Sequence, residues 1–469
     1  MTQFKFLNNP QKIRKLLFII NIFVGLVACY LGIINEFPDA DHYIKLGNNL
    51  SKGYFTSWHE FQGIYSETLR TPGYPIFLFL LSFISDSPWL VYFVQFVAYV
   101  LTVLIAEKIV LSLFKKLRYV NCFYFLLIFN IQVPYYSGLV SAECLTILSV
   151  VTYLYILVRK KELTIKDWMW AAIVASVAFQ MRPAFLLFPF CTTLYFFFFK
   201  GKKPAALLHS VFFIFMLLPF GFWNYNTHGT FKLTPIEGGA GVAHMGFWSF
   251  KLPDGYRENF YWNNSVVSDF TNPFEKNNEQ TEQAVLAYEA EWKDINNRLK
   301  LYESQEDSVN LAYMKKTNPF FFPLHSSSYT KHRERFLWEK TKEHIFDDPV
   351  FYFKTRLYTF FRLHFTGLNM TKLKKSKSVF KKVQILYPFI ASFTFILLGL
   401  FCSIAYFLVK KKLTVDFIFV FCLILYFGAI HTPFAIQARY VVPVHLFVLM
   451  MLSYTLSSLF TKKDSINSN

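Results

Sequence analysis

Residues 12–43 read KIRKLLFIINIFVGLVACYLGIINEFPDADHY. Three cations, Lys12, Arg14 and Lys15, precede an apolar run that ends at Ile34 and gives way at once to an acidic turn. Roughly 20 apolar residues cross a bilayer, so this run is a membrane span with its basic flank on one side and Asp39, Asp41 and His42 on the other. No small-residue cleavage site follows Ile34 before the polar stretch, and the run therefore reads as a retained first helix, not a signal peptide.

The same pattern recurs along all 469 residues. Hydrophobic residues make up 54% and charged residues only 17%, against about 25% charged in a soluble domain. That excludes an ordinary soluble enzyme. Apolar runs near 16–34, 88–114, 119–133, 142–158, 167–180, 184–199, 204–223, 384–409, 417–430 and 441–460 predict a polytopic α-helical membrane protein of about 10 spans. The formal charge of +18 does not point to nucleic acid, because its basic residues border apolar runs. All six cysteines, Cys29, Cys122, Cys144, Cys191, Cys402 and Cys422, fall inside those runs, where neither disulfides nor thiolate metal sites are expected.

Charge then orients the spans. The clusters Lys12–Lys15, Lys115–Arg118, Arg159–Lys161, Lys200–Lys203, Lys410–Lys412 and Lys462–Lys463 share one side, the cytoplasmic one, provided that Tyr74–Ile84 does not cross. That stretch is too short to span and reads as a re-entrant or interfacial helix on the outer side. Lys372, Lys374, Lys375, Lys377, Lys381 and Lys382 fall outside in this arrangement, against the rule, although long loops translocate largely regardless of charge.

Three parts result: an N-terminal membrane module over 1–224 with an outer loop at 35–87, an extracytoplasmic domain over 225–383, and C-terminal membrane helices over 384–469. Within the middle part, Val285, Leu286, Tyr288, Trp292, Ile295 and Leu299 predict an amphipathic helix over Thr281–Leu301. Asp347, Asp348 and Pro349 open another, running to about Phe365, whose aromatic and basic mixture suits a membrane surface. The short cytoplasmic connections leave no room for a nucleotide-binding domain, and neither a P-loop nor a Gly-rich dinucleotide fingerprint occurs in the chain.

Chemistry collects at the outer span ends. In PDADHY, Asp39 and Asp41 suit a solvated turn, a general base, or hard-oxygen ligands of a divalent cation. In ETLRTPGYP, Arg70 suits either a snorkelling anchor or a contact to phosphate or sugar, with Glu67 beside it. Glu143 opens a span, where an acid is expensive and marks function, unless it only caps the helix. Arg182 in QMRP, Asn224 in FWNYN, and His431 with Arg439 in HTPFAIQARYVVP lie at further outer ends. Each alone is an ordinary interfacial residue; together they put acids, amides and arginines on one face.

These stretches, in this order, resemble the bacterial membrane glycosyltransferases of the GT-C fold, of the protein O-mannosyltransferase and lipid A aminoarabinose transferase type. The matching elements are Asp39 with Tyr43, Arg70–Pro75 (R-T-P-G-Y-P, the most specific), Ser141–Glu143, Arg182–Pro183, Asn224–Tyr225 with Gly229, and Arg439, Tyr440 and Pro443. The resemblance covers almost the whole chain, with no motif over 245–380. Two departures stand out: Trp223 where many relatives carry Arg, and the spacing Asp-Ala-Asp, which leaves Asp39 and Asp41 both open as the base.

The resemblance implies transfer of a sugar, with inversion, from a polyprenyl-phosphate donor to a lipid, polysaccharide or protein acceptor at the outer face of a bacterial cytoplasmic membrane. Asp39, Asp41 and Glu143 would be catalytic, and would be the ligands if a divalent cation takes part. Tyr43, Arg70, Tyr74, Arg182, Asn224, His431, Arg439 and Tyr440 would bind substrate. Two alternatives fit less well. An O-antigen ligase or polymerase would carry its large loop late with paired Arg and His, and a lipid-linked sugar flippase would need polar residues deep in its spans.

Overall fold

The computed structural model describes residues 9–35, 37, 39–57, 65–160, 162–199, 201, 203–253, 278–305, 307–308, 325–364, 370–410, 415–434 and 438–464, and among these no strand occurs. Among the described residues five helices are long and apolar enough to cross a membrane: Pro10–Ile33, Pro88–Phe114, Pro204–His228, Val379–Val409 and Arg439–Phe460. Shorter apolar helices, Glu143–Val158, Pro183–Phe199 and Ile418–His431, lie among them. Together with Leu117–Leu127 and Ile165–Met181, they account for every apolar run in the sequence. The chain is a multi-pass helical membrane protein.

Local chemistry sets the helix ends. The first helix opens with Asn9, whose side chain accepts from the backbone N–H of Gln11 and Lys12, and with Pro10, whose missing N–H is no loss there. Thr164 and Asp167 form a reciprocal capping box at the start of Ile165–Met181. In that helix Ala171, Ala172, Ala175 and Ala178 are fully buried, and such small side chains let neighbouring backbones approach.

The last helix, Val442–Asp464, runs through the centre of the bundle. Val444, Leu446, Phe447, Val448, Leu449 and Met450 have no exposed surface. A helix buried all round has its position fixed on every side, and so does the turn that feeds it. At the other end of the chain, the first helix meets the turn Tyr136–Gly138 backbone to backbone. A Cβ on Gly138 would lie 1.9 Å from the Cys29 carbonyl oxygen, so only glycine fits.

The outer helix expected near 74–84 is present as Gly73–Ser82, ten residues and about 15 Å long, packed against Ala40–Leu50. A smaller group consists of Ala240–Trp248, Asn278–Leu299, Ser327–Asp347 and Pro349–Leu363. In Asn278–Leu299 the predicted apolar stripe buries Ile295 and Leu299, whereas Leu286 remains exposed. Glu334 closes the group by accepting from the N–H of Ala240 at 3.0 Å and Gly241 at 3.4 Å. Asp348 caps Pro349–Leu363 through Phe351 N at 2.9 Å. In this helix the arginines turn inward and an apolar face stays exposed. Arg356 is buried and donates to the carbonyls of Thr432 and Gly246, both at 2.9 Å, leaving Val350, Phe353 and Leu357 exposed.

Candidate active site

Five charged side chains from five helix ends meet at one end of the bundle. Asp39 is the residue before Ala40–Leu50, Arg70 lies in the loop before Gly73–Ser82, and Glu143 opens its helix. Arg182 terminates Ile165–Met181, and Arg439 sits in the short turn Ala438–Val441 that leads into the last helix. A charge in mid-span would be costly, whereas at a helix end it keeps access to polar partners. Glu143 also benefits from the positive end of its own helix dipole.

Arg439 joins the two acids. Its Nη2 lies 3.1 Å from Asp39 Oδ2 and its Nη1 lies 3.6 Å from Glu143 Oε1. Arg70 Nη2 holds the other Asp39 oxygen at 3.0 Å, and Arg182 Nη2 stands 3.6 Å from Glu143 Oε1. Burial would push the Asp39 carboxyl up, but Arg70 and Arg439 outweigh it and hold it at about 2. Within these four ion pairs three guanidinium groups face two carboxylates. Arg70 Nε, Arg439 Nε and Arg182 Nη1 are buried without a hydrogen-bond partner among the described residues. Unpaired buried donors are unfavourable, and a multi-oxygen anion is the natural complement to several guanidinium groups.

Aromatic rings hold these arginines in place. Arg70 lies over Tyr43 at 5.1 Å from the ring centre, Arg182 over Tyr440 at 5.0 Å, and Arg439 over Phe37 at 4.8 Å. His431 stacks on Tyr440 at 4.9 Å while donating from Nδ1 to the Phe427 carbonyl at 2.7 Å, so it supports a ring and does not reach the acids. Tyr74 is fully buried, edge-on to Tyr43 at 4.9 Å, and donates to Gln95 Oε1 at 2.9 Å. Gln95 in turn donates to the carbonyls of Ser137 and Leu139, at 3.1 and 2.7 Å, fixing the turn before Glu143. The one sign of Gln95 in the sequence is an amide inside the apolar run 88–114. Gly73 completes the assembly: a Cβ there would lie 2.5 Å from the Gln180 carbonyl oxygen, so the loop carrying Arg70 packs directly on the helix end carrying Arg182.

Two of the candidates stand apart. Asp41 is exposed and pairs with Lys45 at 2.8 Å, one helical turn along. Asn224 is buried and donates to the carbonyls of Lys232 and Thr234, at 2.5 and 3.1 Å, which makes it a clip for the following turn. Among the described residues no three His, Cys, Asp or Glu side chains form a group able to hold a metal ion. Arg439 lies between Asp39 and Glu143 and pairs with both.

No protein-family model and no curated protein matches the chain. Solved structures do. The chain superimposes over its full length on the oligosaccharyltransferase AglB of Archaeoglobus fulgidus, solved with an inhibitory peptide and a dolichol-phosphate, with a TM-score of 0.50 and 13% identity, covering 52% of that protein. A crystal form of the Archaeoglobus fulgidus oligosaccharyltransferase with zinc and sulfate gives 0.48 and 14% identity over 96% of this chain and 49% of that one. ArnT of Cupriavidus metallidurans, bound to undecaprenyl phosphate, gives 0.37 and 9% identity over 93% of this chain and 77% of that one. The chain thus spans about half the length of the oligosaccharyltransferase. Its fold is that of the GT-C membrane glycosyltransferases, as the sequence resemblance implied.

Proposed function

We propose that the protein is a glycosyltransferase that moves a sugar from a polyprenyl-phosphate donor to a lipid, polysaccharide or protein acceptor at the outer face of the membrane, with inversion. The observation that carries this reading is the convergence of Arg70, Arg182 and Arg439 on Asp39 and Glu143 with one positive charge in excess within these ion pairs. A sugar phosphodiester carries a single negative charge, which matches that excess. A dolichol-phosphate bound to the oligosaccharyltransferase of the same fold supports a lipid phosphate as ligand.

In this reading the acceptor hydroxyl or amine attacks the anomeric carbon from the face opposite the phosphate. The carbon–oxygen bond to phosphate breaks, its electron pair leaves with the phosphate, and the acceptor proton passes to Asp39. The leaving phosphate gains a second charge as the bond breaks, and guanidinium groups already aimed at it favour that transition state over the bound donor. Asp39 held at about 2 is a weak base. A phosphate lying between Arg70 and Arg439 competes for both cations and returns basicity to the carboxylate when the donor is bound. Glu143 orients Arg182 and Arg439 from the opposite side. The lipid tail lies between spans, and the smaller helical group caps the site.

The outer placement rests on the six basic clusters sharing the opposite side. Reporter fusions near residue 300 test it, and a cytoplasmic signal there overturns the mechanism. The activity is tested by mass spectrometry of polyprenyl phosphates in cells lacking the protein. A sugar-phosphate carrier accumulates if the reading is right; an unchanged carrier pool and unchanged surface glycans overturn it.

A further inference from the structure

Glu67 is a buried carboxylate that the mechanism above does not use, with 1% of its surface exposed. Burial would push its carboxyl up, but His42 and the neighbouring backbone N–H outweigh that and hold it low, so it is an anion inside the protein. Both oxygens are engaged. Oε1 accepts from the N–H of Leu69 and of Arg70, each at 2.9 Å, and Oε2 lies 2.9 Å from His42 Nε2. His42 belongs to the helix Ala40–Leu50, which Asp39 immediately precedes. One carboxylate therefore binds together the two segments that supply the Asp39–Arg70 ion pair.

The same stretch is tied on its other side to the helix Ser327–Asp347. The Glu67 carbonyl accepts from His228 Nε2 at 3.2 Å, which leaves His228 Nδ1 to accept from Ser327 Oγ at 2.7 Å. The ring thus donates on one side and accepts on the other, as a neutral imidazole does. The next residue repeats the arrangement. Thr68 Oγ1 donates to Glu237 Oε2 at 2.8 Å, the Glu237 N–H donates to the Thr68 carbonyl at 2.9 Å, and Glu237 pairs with Arg333 of the same helix. Two consecutive residues of the Arg70 loop thus hang on one helix of the smaller group.

We infer that Glu67 is the positioning residue for Arg70, and that the Ser327–Asp347 helix acts on that arginine through the Glu67–His228 and Thr68–Glu237 contacts. The inference rests on Arg70 holding the donor phosphate, as proposed above. A change in the smaller group on meeting an acceptor would then reach the phosphate end of the site through hydrogen bonds already in place.

Farnesyl phosphate serves as the probe, with its affinity for the purified full chain measured in detergent and thermal unfolding followed in parallel. Glu67→Gln keeps the shape and loses the charge. It is expected to weaken binding about tenfold in the otherwise unchanged protein and less than twofold in an Arg70→Ala background, because a positioning residue has nothing left to position. Equal losses in both backgrounds overturn the inference while leaving the phosphate site standing. An Arg70→Ala protein that binds as tightly as the unchanged chain overturns the phosphate reading, and this inference with it. If Glu67→Gln does not fold, Ser327→Ala takes its place in the same cycle. Its expected loss is about threefold and disappears with Arg70→Ala; a loss that persists there overturns the inference.

Discussion

Asp39 and Arg439 are 400 positions apart in the chain and 3.1 Å apart in the protein. The contact joins the turn after the first span to the turn before the last, and Arg439 continues to Glu143 at 3.6 Å. Arg439→Ala is expected to abolish nearly all activity, since it removes the cation shared by two acids and the proposed phosphate contact. Arg439→Lys keeps the charge without the planar fork and is expected to retain part of the activity. Donor affinity and turnover of the folded variants check this, and a fully active Arg439→Ala enzyme removes the residue from the site.

Asp39→Asn is expected to lower turnover on the order of 100-fold while leaving donor binding nearly intact, because an amide cannot take the acceptor proton. Asp41→Asn should be mild, given that Asp41 is exposed and faces Lys45. Equal losses at both positions would point to a shared cation or a structural turn.

The pH dependence follows from Asp39 being held at about 2, below the roughly 3.9 of an unfolded chain. A depressed carboxyl stabilises the fold at pH above its unfolded value, and that stabilisation is lost as pH falls from about 4 towards 2. Thermal unfolding followed across that window should show the loss, and Asp39→Asn should flatten it. Kinetics add a second readout: kcat/KM reports the free enzyme and kcat the donor complex, so the acid limb of kcat should lie at higher pH. Coincident limbs would mean that the donor leaves the Asp39 ion pairs untouched.

Gly138→Ala places a Cβ 1.9 Å from a backbone oxygen of the first helix, so that helix must move. Overpacking of this kind costs about 1–3 kcal/mol or more. Gly239, around which nothing lies within 4 Å of the added Cβ, provides the control. A lower unfolding temperature for Gly138→Ala than for Gly239→Ala is the expected result.

In the smaller group, Glu291 is shared by His244 and by His344, the latter at 2.7 Å, and Trp248 Nε1 donates to it at 3.1 Å. Burial would raise this carboxyl, but the two imidazoles hold it at about 2. Glu291→Gln is expected to cost roughly 1.5–3 kcal/mol of stability, the range for hydrogen bonds to charged groups. Thermal unfolding of the variant checks this.

Hydropathy made the bundle readable from the sequence, because each apolar run had to become a helix once placed in lipid. The five clustered charges were readable for a related reason: in so apolar a chain, Asp39, Arg70, Glu143, Arg182 and Arg439 stand out at span ends. Partners were not readable. Asp39 and Asp41 are two residues apart, which turns one toward two arginines and the other toward Lys45, and only the packed helix decides the side. Asn224 carries the same amide whether it meets a ligand or clips two carbonyls. Arg356 looked like a surface cation because its inward carbonyl partners come from residues 246 and 432, distant in sequence. Gln95 and Glu67 act through backbone groups, which leave no trace in the identity of their partners.

The spread of these charges along the chain also sets an order of assembly. A growing chain that has reached residue 430 holds Asp39, Glu143, Arg70 and Arg182, two acids against two guanidinium groups, with no net charge to offer an anion. The excess positive charge arrives with Arg439, and it is fixed in place when the central helix Val442–Asp464 is inserted among helices already in the membrane. Until then Asp39 lacks its second cation, and the charge arrangement on which the proposed phosphate site rests is incomplete.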